Sequence, residues 1–346
     1  MFLKILLIFV PVTIVLDQVQ VDPLWVFACS CLAIVPLADQ LAKSTEALAE
    51  ILGPTVGGLL NATLGNAPEL IICGLALSKG LSEVVKSAIA GSILMNLLLL
   101  LGMAMVAGGI RRQRQTFNRS SAGVSASLLT LAAIGLVVPA IVSLAPGQQR
   151  ELSLEISCVL FLMYLLSLVF TMVTHRSLFA KSEEHPEESA PSGAGTARVV
   201  VVLLVTAAFL AVISEMMTDS LDPAIKALHL SETFAGIIVL GSLGNVAQMI
   251  AAVRFARADN MDLAMGTTVG AATQAALAVA PLLVFAGRLM GQSMDLQFSL
   301  FEVVALGLAV TVVGQFTRDG ESNWMEGAML IAVYVIFAIG FYFTGS

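Results

Sequence analysis

The sequence predicts an all-α integral membrane protein of about eleven transmembrane helices, on three observations. Of its 346 residues, 58% are hydrophobic and 12% charged, with a mean hydropathy of +0.94; a soluble domain carries about 25% charge to cover its surface. The apolar residues gather into runs that can each cross a hydrocarbon core, which takes about 20 helical residues. The alternation a membrane β-barrel needs is missing, and in lipid a helix satisfies its own backbone polar groups.

The runs lie near 3–19, 23–40, 52–78, 85–110, 122–144, 154–174, 198–217, 233–255, 261–287, 297–317 and 324–344. The first opens with Lys4 but lacks a small-residue cleavage site before Pro23, so it reads as a retained extra helix over 1–22. Loop 111–119 holds Arg111, Arg112, Arg114 and Arg119 and is expected in the cytoplasm. Alternation from there puts Lys4, Lys43, those four arginines, Arg176, Lys181, Arg198, Arg254, Arg257 and Arg318 on the cytoplasmic side, twelve of the 17 basic residues. Lys79, Lys86, Arg150, Lys226 and Arg288 fall opposite. The N-terminus is then cytoplasmic and the C-terminus outside.

Residues 175–197, with Glu183, Glu184, Glu187 and Glu188 among Pro, Ser and Gly, read as an acidic cytoplasmic linker dividing the chain. The net charge of −7 and the lack of a long basic run argue against a nucleic-acid partner. Cys29, Cys31, Cys73 and Cys158 all lie in apolar runs, as small buried hydrophobes rather than a redox or metal pair.

Laid over the first half at an offset of 179, the second half gives an ungapped correspondence. Gly57 falls on Gly236, Gly65 on Gly244, Asn66 on Asn245, Gly91 on Gly270 and Gly108 on Gly287. L-G-N-A-P-E-L (64–70) falls on L-G-N-V-A-Q-M (243–249). With a ten-residue shift upstream, S-T-E-A-L-A-E (44–50) matches I-S-E-M-M-T-D (213–219) and pairs Glu46 with Glu215. The chain therefore divides into the extra helix 1–22, a five-helix repeat 23–174, the linker 175–197 and a second repeat 198–346. An odd number of spans inverts the second copy, the plan of secondary transporters, whose site lies near the midplane between repeats.

Glu69 is the residue that most needs explaining. A carboxylate deep in an apolar run costs about 2.5–3.5 kcal/mol even on mild insertion scales, so it requires a partner, a proton or an ion. Gly65 and Pro68 loosen the helix around it and free carbonyl oxygens, and Asn66 adds an amide oxygen three residues away. Hard cations want several such oxygens with a carboxylate among them. A protonated Glu69 bonded to a neighbouring helix is the structural alternative. In the next helix Gly91, Ser92 and Asn96 lie a turn apart, opposed in the second copy by Gly270, Ala271, Thr273, Gln274 and Ala275. Close packing explains the glycines, whereas Asn96 and Gln274 suit either packing or ion contact. Glu46 and Glu215, each beside a hydroxyl (Thr45, Ser214), fall near the ends of the second and seventh runs, as solvated carboxylates or as proton-relay and access groups. His175, His185 and His229 fall in connections.

The segments G-G-L-L-N-A-T-L-G-N-A-P-E-L (57–70) and G-S-I-L-M-N-L-L-L-L-L-G (91–102) resemble the first repeat of the cation/proton exchanger family of the Ca2+/cation antiporter superfamily. M-D-L-A-M-G (261–266) and G-A-A-T-Q-A-A-L-A-V-A-P (270–281) resemble its second repeat, and S-N-W-M-E-G-A-M-L (322–330) its last loop and helix. The resemblance implies Ca2+/H+ exchange, with a Glu in each G-N-A-x-E motif binding Ca2+ in one state and protons in the other. By position these are Glu69 and Gln248, so the second is not acidic. Met249 stands for the family's His, and Ala271 and Ala272 for its paired serines. A single carboxylate leaves a bound Ca2+ with excess positive charge, which is costly inside a membrane.

The expected cation site thus comprises Glu69, Asn66, Gly65, Gln248, Asn245, Gly244, Ser92, Asn96 and Gln274, with Glu69 the metal-binding carboxylate. The expected function is a secondary-active antiporter, with Ca2+ and H+ as cargo, no resident cofactor, the bilayer as partner and a prokaryotic inner membrane as location. A proton-coupled exchanger of a monovalent or other cation and a non-transporting membrane sensor are the alternatives. The spans show no H-E-x-x-H and no G-x-S-x-G, so an intramembrane enzyme is not expected.

Overall fold

The computed structural model describes residues 2–142, 145–175 and 193–344. The body of the expected acidic linker, with its four glutamates and His185, lies outside them. A short helix Phe2–Leu6 leads into α1 (Phe9–Gln18), and α2 (Pro23–Gly53) follows. Gly53, at φ 79° and ψ 174°, breaks the chain direction before α3 (54–64). After α4 (Ala67–Ser78) come α5 (Ser82–Gly109), α6 (Arg119–Ile141), α7 (Pro146–Thr174) and α8 (Gly193–Leu228). The second half continues through α9 (Glu232–Leu243), α10 (Val246–Arg257), α11 (Met261–Met290), α12 (Leu300–Phe316) and α13 (Trp324–Thr344). Among the described residues seven helices are long and apolar enough to cross a bilayer, α9 and α10 form a broken eighth bent by 56°, and α1, α4 and α12 are shorter apolar helices. Each expected run therefore has its helix among the described residues.

Two runs end later than expected. The second reads as 23–40 and the seventh as 198–217, yet α2 runs to Gly53 and α8 to Leu228. Charge ends an apolar run without ending the helix: Lys43 Nζ lies 2.6 Å from Asp39 Oδ2, one turn away. Glu46 and Glu215 consequently sit inside helices and not near their ends, and both are exposed. Cys29 and Cys73 are buried as expected, but Cys158 is exposed on α7.

Helix ends sort into two groups. At one end loops 110–118, 258–260 and 317–323 meet: Gln115–Thr116 pairs antiparallel with Glu321–Ser322, and Gln115 Nε2 donates to Ala256 O (2.8 Å) and Asp259 Oδ1 (3.0 Å). At the other end Lys79 pairs with Asp219 (2.6 Å), Lys86 with Asp295 (3.1 Å), and Gln292 donates to Ser78 O (3.2 Å). The arginine-rich loop and Lys79 thus occupy opposite ends, in the relative order the charge count gives. In α5 and α11, 83% and 72% of the most apolar window is buried, against 17–22% in α6, α7, α8 and α13. The two buried helices form the centre, and the others wrap them.

Candidate functional site

The site is built where two broken spans face the two central helices. The α3–α4 break falls at Gly65 and Asn66 and the α9–α10 break at Gly244 and Asn245, so both copies of L-G-N interrupt a helix. Pro68 assists the first break, since Pro fits the opening turn of a helix. Each break leaves a half-helix N-terminus in the protein interior. Glu69 and Gln248 each stand third in the half-helix that follows.

Both capping asparagines reach across to the other half of the chain. Asn66 Nδ2 donates to Gln274 Oε1 on α11 at 2.7 Å. Asn245 Nδ2 donates to Ser92 Oγ on α5 (2.9 Å) and to Gly241 O (2.7 Å), and its Oδ1 accepts from Asn96 Nδ2 (3.0 Å). The two asparagines are related by the offset of 179 that relates the halves, while their partners are not: Gln274 falls on Met95 and Asn96 on Ala275. α5 and α11 also carry π-helical turns at matching places, Met95–Leu100 and Ala275–Val279. Such turns shift side-chain register and recur at functional sites; here they adjoin Asn96 and Gln274.

Glu69 is 8% exposed and lies against the opposite break: a Cβ at Gly244 would sit 3.0 Å from its Cδ and Oε1. Neither of its carboxylate oxygens has a hydrogen-bond partner among the described residues. Asn96 Oδ1 and Gln248 Oε1 are likewise buried without a donor. Leaving buried oxygens unmatched costs about 1–3 kcal/mol each, and a carboxylate together with neutral oxygens is the chemistry a hard cation binds. A narrow internal cavity adjoins Glu69, between Cys73, Ala88, Ser92, Gly241 and Ala275. Among the described residues no three His, Cys, Asp or Glu side chains cluster; the polar groups around Glu69 are amide, hydroxyl and backbone groups.

Residues 23–173 and again 198–343 match the family described as sodium/calcium exchanger protein. The chain belongs to that family. A Ca(2+)/H(+) antiporter of Aphanothece halophytica is 39% identical over 98% of this chain and 95% of its own length. One from Synechocystis sp. is 40% identical over 98% and 96%. The solved structure of native YfkE superposes with a TM-score of 0.87 at 34% identity, covering 99% of both chains. The resemblance to cation/proton exchangers read from the sequence is therefore confirmed, as is the all-helical membrane fold. The two stretches matched by the family start at residues 23 and 198.

Of the residues expected at the site, Asn66, Gln274, Ser92, Asn96 and Asn245 are joined by hydrogen bonds, Gly244 abuts Glu69, and Gly65 lies 3.8 Å, by its would-be Cβ, from Gln274 Oε1. Gln248 stands one turn past Asn245 on α10. Glu46 is exposed on α2, and Glu215 lies 3.7 Å from Lys79 at the end remote from the arginine loop. Sequence reasoning missed Gly241, whose would-be Cβ lies 2.8 Å from Ser92 N and 2.9 Å from Ala88 O. Its signal was the run of small residues on the facing helix, Ser87, Ala88, Gly91 and Ser92, which lets two backbones touch. It also missed the buried Glu302, whose Oε1 accepts from Ser87 Oγ at 2.7 Å.

Proposed function

We propose that the chain exchanges Ca2+ for protons by alternating access at one midplane site between two inverted five-helix repeats, 23–174 and 198–346, with 1–22 an added helix and 175–197 a cytoplasmic linker. The observation that carries this reading is the group of buried oxygens without donors on Glu69, Asn96 and Gln248. The names of the relatives support Ca2+ and H+ as cargo. Glu69 supplies the charge, Asn66, Asn96, Asn245, Gln248, Gln274 and Ser92 supply or orient neutral oxygens, and Gly65 and Gly244 let the broken helices approach. Because Glu69 cannot be ionised in that apolar setting without compensation, it holds either the cation or a proton, and the alternation of the two is the exchange. Glu46 and Glu215 act away from the site as access groups. The arginine loop faces the cytoplasm of a prokaryotic cell, the N-terminus lies inside and the C-terminus outside.

Proton flux in sealed proteoliposomes, followed with a pH-sensitive dye on adding Ca2+, Na+, K+, Mn2+ or Mg2+ in turn, tests the reading. Ca2+ is expected to drive proton movement, and Glu69→Gln to abolish it. Normal transport by that variant would make Glu69 structural. A response confined to Na+ or K+ would reassign the cargo to an ion that one carboxylate neutralises, and silence to every ion would point to a sensor.

A further inference from the structure

At the arginine-rich end α5 stops at Gly109 where α13 begins at Trp324, so close that a Cβ on Gly109 would lie 2.6 Å from Trp324 N. A polar cleft opens beside this contact, lined by Ile110, Arg111, Arg112, Gln113, Asn323 and Trp324, with no carboxylate in its wall. Its two arginines are differently placed. The Arg112 guanidinium is committed, donating to Gly108 O (3.1 Å) and Arg257 O (3.2 Å) and lying 3.3 Å from Asp259. Arg111 is exposed and makes no hydrogen bond or ion pair among the described residues.

The nearby acids are already engaged. Asp259 takes Arg112 and Gln115, Glu321 takes Arg114 at 2.8 Å, and Asp262, Asp319 and Glu326 accept from the backbone N–H of Asn118, Glu321 and Asn323. Arg114 and Arg318 on the adjoining loops, with Arg119 at the start of α6 and Arg257 at the end of α10, add positive field. The rim of the cleft is apolar on one side: Ile110 is 66% and Trp324 48% exposed. Trp324 heads a 21-residue apolar helix, the position at which an indole sits at headgroup level.

We propose that this cleft binds the phosphodiester headgroup of an anionic phospholipid, with Arg111 as its charged donor, Gln113 and Asn323 as neutral donors, and Ile110 and Trp324 against the glycerol and upper acyl region. Basic clefts between helix ends recognise lipid headgroups in this way. A dissolved phosphate would use the charge and leave the apolar rim without a role, which is why the occupant is a lipid. The bound headgroup would tie the end of α5, which carries Ser92 and Asn96, to the start of α13. Those helices already touch backbone to backbone through Gly102 and Gly327.

Thermal unfolding of the full chain in a neutral detergent, with phosphatidylglycerol, phosphatidylcholine, inorganic phosphate or glycerol 3-phosphate added, tests this. Phosphatidylglycerol is expected to raise the melting temperature by several degrees and phosphatidylcholine not to. Arg111→Gln should lose most of that gain while Arg119→Gln, at the exposed start of α6, keeps it. Equal gains in wild type and Arg111→Gln would overturn the proposal, as would full reproduction of the gain by inorganic phosphate. A second readout, independent of how well Arg111→Gln folds, uses the Trp25→Phe chain, in which Trp324 is the remaining tryptophan. Its fluorescence should be quenched more by brominated phosphatidylglycerol than by brominated phosphatidylcholine, and equal quenching would refute the site.

Discussion

The two halves share a plan but not a packing. In the second half α9 is seated on α5: a Cβ at Gly236 would meet Ser87 Cβ at 2.6 Å and Val84 O at 2.8 Å, and Gly91 lies against the Ile237 backbone. In the first half the equivalent seat is open. Gly270, the counterpart of Gly91, has nothing within 4 Å of its would-be Cβ, nor has Gly266, and Leu52, Val56 and Leu59 around α3 are exposed. The site is therefore sealed toward the Lys79 end and loosely covered toward the arginine end. Two copies of one hairpin, one seated and one unseated, are what a two-state gate requires, because packed interfaces switch between discrete arrangements. The halves differ in chemistry as well. Glu69, Ser92 and Asn96 face Gln248, Ala271 and Ala275 at the matching positions, so the first half carries the charge and the second a neutral cradle.

The largest effect should come from disturbing the seat. Gly241→Val places a methine against Ser92 N and Ala88 O, and overpacking of this kind costs about 1–3 kcal/mol. Exchange in proteoliposomes is expected to fall by about tenfold or more as that energy unseats α9. Gly270→Val has room in this arrangement and should leave the melting temperature unchanged. If α3 seats on α11 in the alternate state as α9 does on α5, the same variant nevertheless slows exchange. Full activity in Gly270→Val would break the comparison.

The chemical difference makes a smaller, electrical prediction. Exchange of Ca2+ against the single proton that Glu69 can hold moves one net positive charge, and one elementary charge crossing 100 mV is worth about 2.3 kcal/mol. Ca2+ uptake by proteoliposomes should accelerate under an inside-negative potential set with valinomycin and K+. Gln248→Glu restores a second carboxylate, should raise Ca2+ affinity and should reduce the voltage response. Unchanged affinity would mean that the second half does not line the ion path.

The two capping asparagines sharpen the comparison further. Asn245 makes three buried hydrogen bonds and Asn66 one. Asn245→Ala should cost about 1–3 kcal/mol in denaturant unfolding, since it removes three buried bonds and leaves Asn96 with only its contacts to Ser92, and Asn66→Ala about 1 kcal/mol. Equal losses would show that the two crossings are energetically alike despite their different packing.

Much of this was legible in the sequence, and the failures have physical causes. Gly65 and Pro68 announced a loosened helix because they disfavour continuous helix, and the 179-residue offset placed Gly244 in the position of Gly65 and Gln248 in that of Glu69. Hydropathy cut the second and seventh runs short because Lys43 and Glu46, and Asp219 and Asp222, end the apolar stretch without ending the helix: Lys43 pairs with Asp39 one turn back, and Asp219 with Lys79. The Asn66–Gln274 and Asn245–Asn96 bonds span 208 and 149 residues, and no local pattern encodes which distant amide a capping residue meets. The inequality of the two seats is a property of one conformation. A sequence whose two halves are nearly equivalent has no means of showing which hairpin is closed.

The smallest effect concerns the latch on the closed end. Lys79, just after α4, pairs with Asp219 at 2.6 Å and Glu215 at 3.7 Å on α8, while its counterpart at the open end is Ala258. The hydrogen bond with Asp219 is the main cause that raises the ammonium above its ordinary value of 10.5, with burial opposing it and Glu215 adding to it. A raised lysine pKa gives stability that is complete below the ordinary value and is lost as pH climbs through the raised one. Lys79→Gln should therefore show the same small deficit at neutral and mildly alkaline pH. Exposed pairs contribute about 0–1 kcal/mol, so exchange should change by no more than about fivefold. Salt should shrink the difference between wild type and variant, because the pair is screened. A salt-independent deficit, or one as large as that of Gly241→Val, would show that the closed end is held by charge and not by the glycine seat.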